Sequence, residues 1–267
     1  MLDDANHKYE NLIYDSSRLE NLGSVLFEEQ KDKNGNSFCC YCMRRLFLND
    51  TEDKHKKNIT YEHIVPHKIK YNEWQSDKAH YLKFSNLNKK HIAVCFEGKL
   101  TNAQKKVKIT GMPYPHFVSY HNLVASCNGA TFEDKTLVNS HCCNNNRQER
   151  FVMPIYLSPD LVNGISYTSK GELDYDDSVY DCSWFDKKHL NLTNSWITLV
   201  RRIWCKISKS GYTDIDVEMA RNDKNLRQNI IDDVDSNNEI SSWADNDIAW
   251  NLFSEYNWFY NYYKSRP

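Results

Sequence analysis

The sequence predicts an α+β protein, with short strands in an N-terminal half and a mainly helical C-terminal region. Three observations carry this expectation. Nearly all of the cysteine and histidine punctuation falls within residues 38–150. Beyond residue 150 the pattern becomes helical: from Thr193 to Lys209, Trp196, Ile197, Leu199, Val200, Ile203, Trp204 and Ile207 fall on one broad face. The charge also changes sign. Residues 1–150 carry 22 Lys+Arg against 18 Asp+Glu, a net of +4, and residues 151–267 carry 12 against 18, a net of −6.

A chain of 267 residues fits one large domain or two modest ones, with ample material for a core. The hydrophobic content of 40% and charged content of 26% are those of an ordinary globular protein. The opening MLDDANHKYENLIYDSS is acidic and polar, unlike a secretory signal. No apolar run approaches the roughly 20 residues that span a bilayer. A cytoplasmic location is therefore the default expectation, with no membrane partner. Residues 44–118 carry 15 basic against 7 acidic side chains, a net of +8. Such a stretch suits either a one-sided nucleic-acid face or a solvated lysine-rich surface.

The expected organisation has three parts: an N-terminal helix within 1–35, a module over 36–150, and a hairpin plus helical domain over 151–267. Tyr9, Leu12, Ile13, Leu19, Leu22, Val25 and Leu26 give a helical period over 7–33, which KDKNGNS ends as a turn. Ile59-Thr60-Tyr61 suggests a strand, and 68–118, without clear period, an insertion or flap. Lys170-Gly171 predicts a hairpin turn, and residues 215–234 and 243–263 predict two further helices. In the last of these, Trp250, Phe253, Trp258, Phe259, Tyr262 and Tyr263 spread over more than half the circumference. Either the other helices cover them, or they dock onto a second copy or another subunit.

Nine cysteines are many for a reducing compartment, and an odd, scattered count does not suit a disulfide framework. Cys39, Cys40 and Cys42 cluster, as do Cys142 and Cys143, with Cys127 between them; metal binding is the usual reason. Cys95, Cys182 and Cys205 stand alone and read as ordinary buried thiols. Four pieces occur in order: Cys39-Cys40-Tyr41-Cys42; Tyr61-Glu62-His63-Ile64-Val65-Pro66; His121-Asn122-Leu123-Val124-Ala125-Ser126-Cys127; and Cys142-Cys143-Asn144-Asn145-Asn146-Arg147.

Together these pieces resemble the HNH endonuclease family, whose members read C-x-x-C, D-H-x-x-P, N-L, then C-x-x-C-N-x-x-K. The resemblance covers mainly 38–150. It implies a zinc-clamped ββα-metal module ahead of the helical region. It further implies a metal-dependent endonuclease that cleaves or nicks DNA, with RNA left open as a substrate. The split second knuckle, with GATFEDKTLVNSH between its halves, is similar to HNH subunits of Septu-type and retron-linked anti-phage systems. A looser similarity runs through Gly171, Leu190-Asn191-Leu192-Thr193 and Arg201. That likeness implies an ABC-type ATPase subunit as partner; a homo-oligomer is also compatible.

Carried over residue by residue, His63 is the expected general base, since imidazole titrates near operating pH. Asn122 is expected to position it. Glu62, where the family usually has Asp, and Asn144 are the expected ligands of a catalytic Mg²⁺ or Mn²⁺. Cys39, Cys42, Cys127 and Cys143 are the expected structural zinc ligands; Cys142 is the reserve for Cys143, and Cys40 could replace Cys39. Arg147, Lys68 and Lys70 are the expected nucleic-acid contacts. The competing reading is a catalytically inactive zinc-knuckle protein that binds nucleic acid or acts as an adaptor.

Overall fold

The computed structural model describes residues 20–51, 55–64, 123–147, 152, 164–175 and 182–266. The expectations placed on 7–19, the 68–118 insertion, Lys68, Lys70, Cys95 and Asn122 lie outside the described residues. What is described is a mixture of helices and three small two-stranded antiparallel sheets, as the α+β reading expected.

Helix α1 (Glu20–Glu29) stops at the expected turn, where the Asp32 carboxylate accepts from the backbone N–H groups of Asn34 and Asn36. Gln30, just past the helix, donates its amide to the carbonyls of Phe38 and Ala125 and accepts from the Ala125 N–H at 2.7 Å. That one side chain ties the helix to β2 (Leu123–Cys127), a strand buried along its whole length. Strand β1 (Ile59–His63) pairs with β2 from Ile59 opposite Cys127 to His63 opposite Leu123. Strands β3 (Thr131–Glu133) and β4 (Thr136–Val138) follow as a tight hairpin. Its two turn residues, Asp134 and Lys135, both adopt positive φ, as a two-residue loop with matching twist requires. The short helix α2 (Cys143–Arg147) completes this half.

The expected Lys170-Gly171 turn joins β5 (Ile165–Tyr167) to β6 (Leu173–Tyr175). Gly171 sits at φ +79°, and a Cβ there would lie 2.0 Å from the Thr198 carbonyl oxygen, so only glycine permits this approach. Thr198 belongs to α3 (Ser195–Lys209), the amphipathic helix read from the sequence, which Asn194 caps through the Ile197 N–H.

The two remaining expected helices are each broken. Residues 214–234 form α4 (Asp214–Met219), opened by a Thr213/Asp216 capping box, and α5 (Lys224–Val234), opened by Asp223. Likewise, 243–263 divides into α6 (Asp247–Ser254), capped by Asn246, and α7 (Trp258–Lys264), after a short 3-10 turn at Ser241–Trp243. Asp223 and Asn246 sat within or beside apolar periods that looked continuous, but each side chain captures backbone N–H groups and starts a new helix. The aromatic surplus is largely covered by the chain itself. Trp204, Trp250, Phe253, Tyr256 and Phe259 are fully buried, Trp204 stacks on Phe253 at 5.0 Å, and the Trp250 indole N–H donates to the Val217 carbonyl. Trp258 and Tyr262 are half-buried.

Among the described residues, no break in the core marks residue 150. One apolar cluster runs from the cysteine loop to the C-terminal helices, with Phe132 of β3 against Trp196 of α3. Among the described residues, no helix is long and apolar enough to cross a membrane.

A buried polar network crosses the same boundary. The Arg44 guanidinium donates to Glu255 at 2.6 Å, and His55, stacked on Phe47, lies between Glu218 at 2.9 Å and Glu255 at 3.4 Å. Arg221 contacts both Glu218 and His55. Burial works to lower the His55 pKa, but the two carboxylates outweigh it and hold the imidazole above its usual 6.5. Burial likewise works against ionising Glu218, yet His55 and Arg221 hold its carboxyl at about 2. The depressed Glu218 contributes stability above pH ~4.5 and loses it as pH falls towards 2; the raised His55 contributes below pH ~6.5 and loses it as pH rises through its folded value. The contribution of this network to stability, read by denaturant unfolding of wild type against His55→Gln across pH, is therefore expected to be greatest between about pH 4.5 and 6.5. His55→Gln is expected to flatten the alkaline side of the wild-type curve.

Candidate metal centre

The Cys39–Cys42 segment folds into a tight loop. The Cys39 N–H donates to the Arg44 carbonyl at 2.8 Å and the Met43 N–H to the Cys39 carbonyl at 3.2 Å. Met43 turns the chain at φ +63°, which brings the thiols of Cys39 and Cys42 together on the inside of the loop. Cys127 ends β2. Two residues on, Gly129 turns the chain at φ +72° and donates its N–H to the Cys127 sulfur at 3.4 Å.

Gly129 also explains how the second knuckle can be split. Its carbonyl accepts from the N–H groups of both His141 and Cys142, at 2.9 and 3.1 Å. The intervening residues fold out as the β3–β4 hairpin, and the chain returns to its starting point. Cys143 then opens α2 next to Cys127. A Cβ on residue 129 would lie 2.2 Å from the Cys142 carbonyl oxygen, so the closure demands glycine. The sequence reading missed this residue, although a glycine two places after a ligand cysteine was visible.

The sulfurs of Cys39, Cys42, Cys127 and Cys143 all lie within 4.8 Å of one another, and all four residues are 0% exposed. The Cys42 and Cys127 sulfurs are 3.7 Å apart. Zinc bound by four thiolates at about 2.3 Å sets its sulfurs about 3.8 Å apart, so the group needs little contraction to hold one. Burial, with the neighbouring sulfurs, pushes the Cys42 and Cys143 thiols well above their ordinary range. Only a thiophilic cation would make four buried thiolates tolerable here. This is the tetrad expected from the sequence. Cys142, the reserve ligand, has its sulfur 3.5 Å from that of Cys143 but falls outside the group, as does Cys40.

β1 carries His63, and α2 carries Asn144. His63, the last residue of β1, is half-buried, and its cross-strand partner is Leu123, the residue after Asn122 in sequence. Asn144, second in α2, directs its amide N–H groups towards the Tyr61 carbonyl at 3.4 Å and the Thr60 hydroxyl at 3.5 Å. The same helix that supplies a sulfur ligand thus sets a carboxamide against the strand ending in His63.

Glu62 and Arg147 depart from expectation. Glu62 is 2% exposed and Arg147 1% exposed, and they form an ion pair. Arg147 also donates to the backbone carbonyls of His63, Ile64 and Val152. The expected phosphate contact is corrected on this point: a guanidinium enclosed in the core has no face for a nucleic acid. Burial pushes the Glu62 carboxyl up to about 7, against the pull of Arg147. No family model, curated protein or solved structure matches this chain.

Elemental analysis of protein purified without added metal is expected to give about one zinc per chain, removed only by strong chelation. Gly129→Ala, which must distort the closure at Cys142, is expected to lower that content and to destabilise the fold by more than about 1 kcal/mol, read by thermal unfolding.

Proposed function

We propose that the chain is a metal-dependent endonuclease of the HNH type, acting on DNA. One observation supports this reading above the rest. A helix that begins at the sulfur tetrad sets Asn144 against the backbone of a two-stranded antiparallel unit, two residues before His63. A structural zinc knuckle alone does not need a carboxamide and a half-buried imidazole at that place.

Under this reading His63 takes the proton from the attacking water, and the β1–β2 pairing fixes its backbone. Asn144 would hold the cation through its carboxamide oxygen, its amide nitrogen being directed to Thr60 and Tyr61. Mg²⁺ or Mn²⁺, when bound, neutralises charge developing on the phosphate oxygens and favours such hard oxygen donors. The zinc tetrad keeps the helix in place and takes no part in the chemistry. Action as an anti-phage effector beside an ABC-type ATPase subunit follows from the sequence resemblance alone, and the assay below does not depend on it.

Supercoiled plasmid incubated with Mg²⁺ or Mn²⁺ is expected to be nicked or linearised, and EDTA to stop it. His63→Ala is expected to lower the rate by roughly 10²- to 10⁴-fold with the zinc content unchanged. A wild-type protein that retards DNA in a gel but leaves it intact in either metal would support the binding or adaptor reading instead.

A further inference from the structure

We infer that Glu62 and Arg147 are positioning residues: their buried ion pair fixes the end of β1 that carries His63, and Glu62 is not a ligand of the catalytic metal. The inference rests on the nuclease reading for the role of His63 and deepens it.

Three observations carry it. First, the contacts of Arg147 converge on one place. Its guanidinium reaches the carbonyls of His63, the last residue of this strand, and of Ile64 just beyond it, while pairing with the Glu62 carboxylate. A planar group with five donors suits such a task, because it can serve several acceptors in fixed directions. Second, successive side chains in a strand point to opposite faces, so an inward Glu62 leaves His63 on the other side of the sheet. Third, the burial of Glu62 is incompatible with what Mg²⁺ or Mn²⁺ needs. Such a cation keeps several waters and must also meet the substrate phosphate. A carboxylate 2% exposed and paired with a guanidinium 1% exposed gives it room for neither.

One oxygen of Glu62, Oε2, has no hydrogen-bond partner among the described residues, and neither has the Tyr41 hydroxyl or the Arg147 Nε. All three atoms are buried. An internal water would satisfy such an orphaned atom without any route to a phosphate. A metal ligated by Oε2 is the rival reading, and it makes an opposite prediction for the glutamine variant.

The test compares wild type with Glu62→Gln, Arg147→Lys and Asn144→Ala, each checked for zinc content. Mn²⁺ affinity is measured calorimetrically and plasmid nicking is followed across pH. Glu62→Gln keeps its shape and an acceptor for Arg147, so it decides the matter even where Arg147→Lys folds poorly. The expected result is Mn²⁺ affinity within about twofold of wild type for Glu62→Gln. Its kcat is expected to fall roughly 10- to 100-fold, the cost of a misplaced base, with a displaced pH profile. A loss of Mn²⁺ affinity of about tenfold or more, matching Asn144→Ala, overturns the inference, as does wild-type kcat with an unchanged profile. If the wild type itself neither binds Mn²⁺ nor nicks, the nuclease reading has failed separately. The clamp is then judged by the NMR titration of the His63 imidazole, where a displaced titration in Glu62→Gln supports it and an unchanged one overturns it.

Discussion

Four sulfurs from three distant parts of the chain, Cys39 and Cys42, Cys127, and Cys143, meet in a space that admits no solvent. Little else in the N-terminal half would hold its place without that meeting. A helix of five residues is far too short to be stable alone, and an isolated pair of five-residue strands is marginal. Two of these elements begin or end at the tetrad, and β1 is held through its pairing with β2. β2 terminates in Cys127, α2 starts at Cys143, and the loop carrying the first pair of sulfurs is hydrogen-bonded to β2 through the Cys40 N–H and the Ala125 carbonyl. A divalent cation at that point would act as a cross-link between parts that have too little apolar surface of their own.

Two buried carboxylates flank this region, each met by an arginine beside a ligand. Glu255 takes Arg44, two residues after Cys42, and Glu62 takes Arg147, four residues after Cys143. A buried ion pair rarely adds stability over an apolar pair of the same shape, but removing one partner is strongly destabilising. Their value lies in fixing orientation. Arg44 also donates to Asn128, next to Cys127, so Glu255 at the end of α6 is coupled to both halves of the sulfur site. The C-terminal helices are in this way continuous with the sulfur cluster in packing and in charge.

Much of this was legible in the sequence. The cysteine clusters indicated a metal site, the resemblance indicated which four would form the tetrad, and the apolar period of 195–209 indicated α3. Turn chemistry indicated the Lys170-Gly171 hairpin. What was not legible depends on three-dimensional closure. Asp223 and Asn246 fell inside the expected helices and were not read as caps, because a capping role depends on which N–H groups are left without partners. Arg147 had the spacing and charge of a phosphate contact, and only its packing against β1 shows that it faces inward. Gly129 could not be separated from other glycines until the chain was seen returning to it.

The hairpin between Cys127 and Cys143 has a consequence for how this protein could vary. Because Gly129 is joined to His141 and Cys142 at the hairpin's base, the path beyond is a closed excursion whose length does not reach the sulfurs. β3 is committed to the core through Phe132, but the tip at Asp134–Lys135 is exposed. Lengthening a loop adds entropy only logarithmically, about 0.6 kcal/mol per doubling. The tip is thus a natural port for inserted sequence: a peptide tag or a recognition loop grafted there would ride on the fold without retuning its geometry.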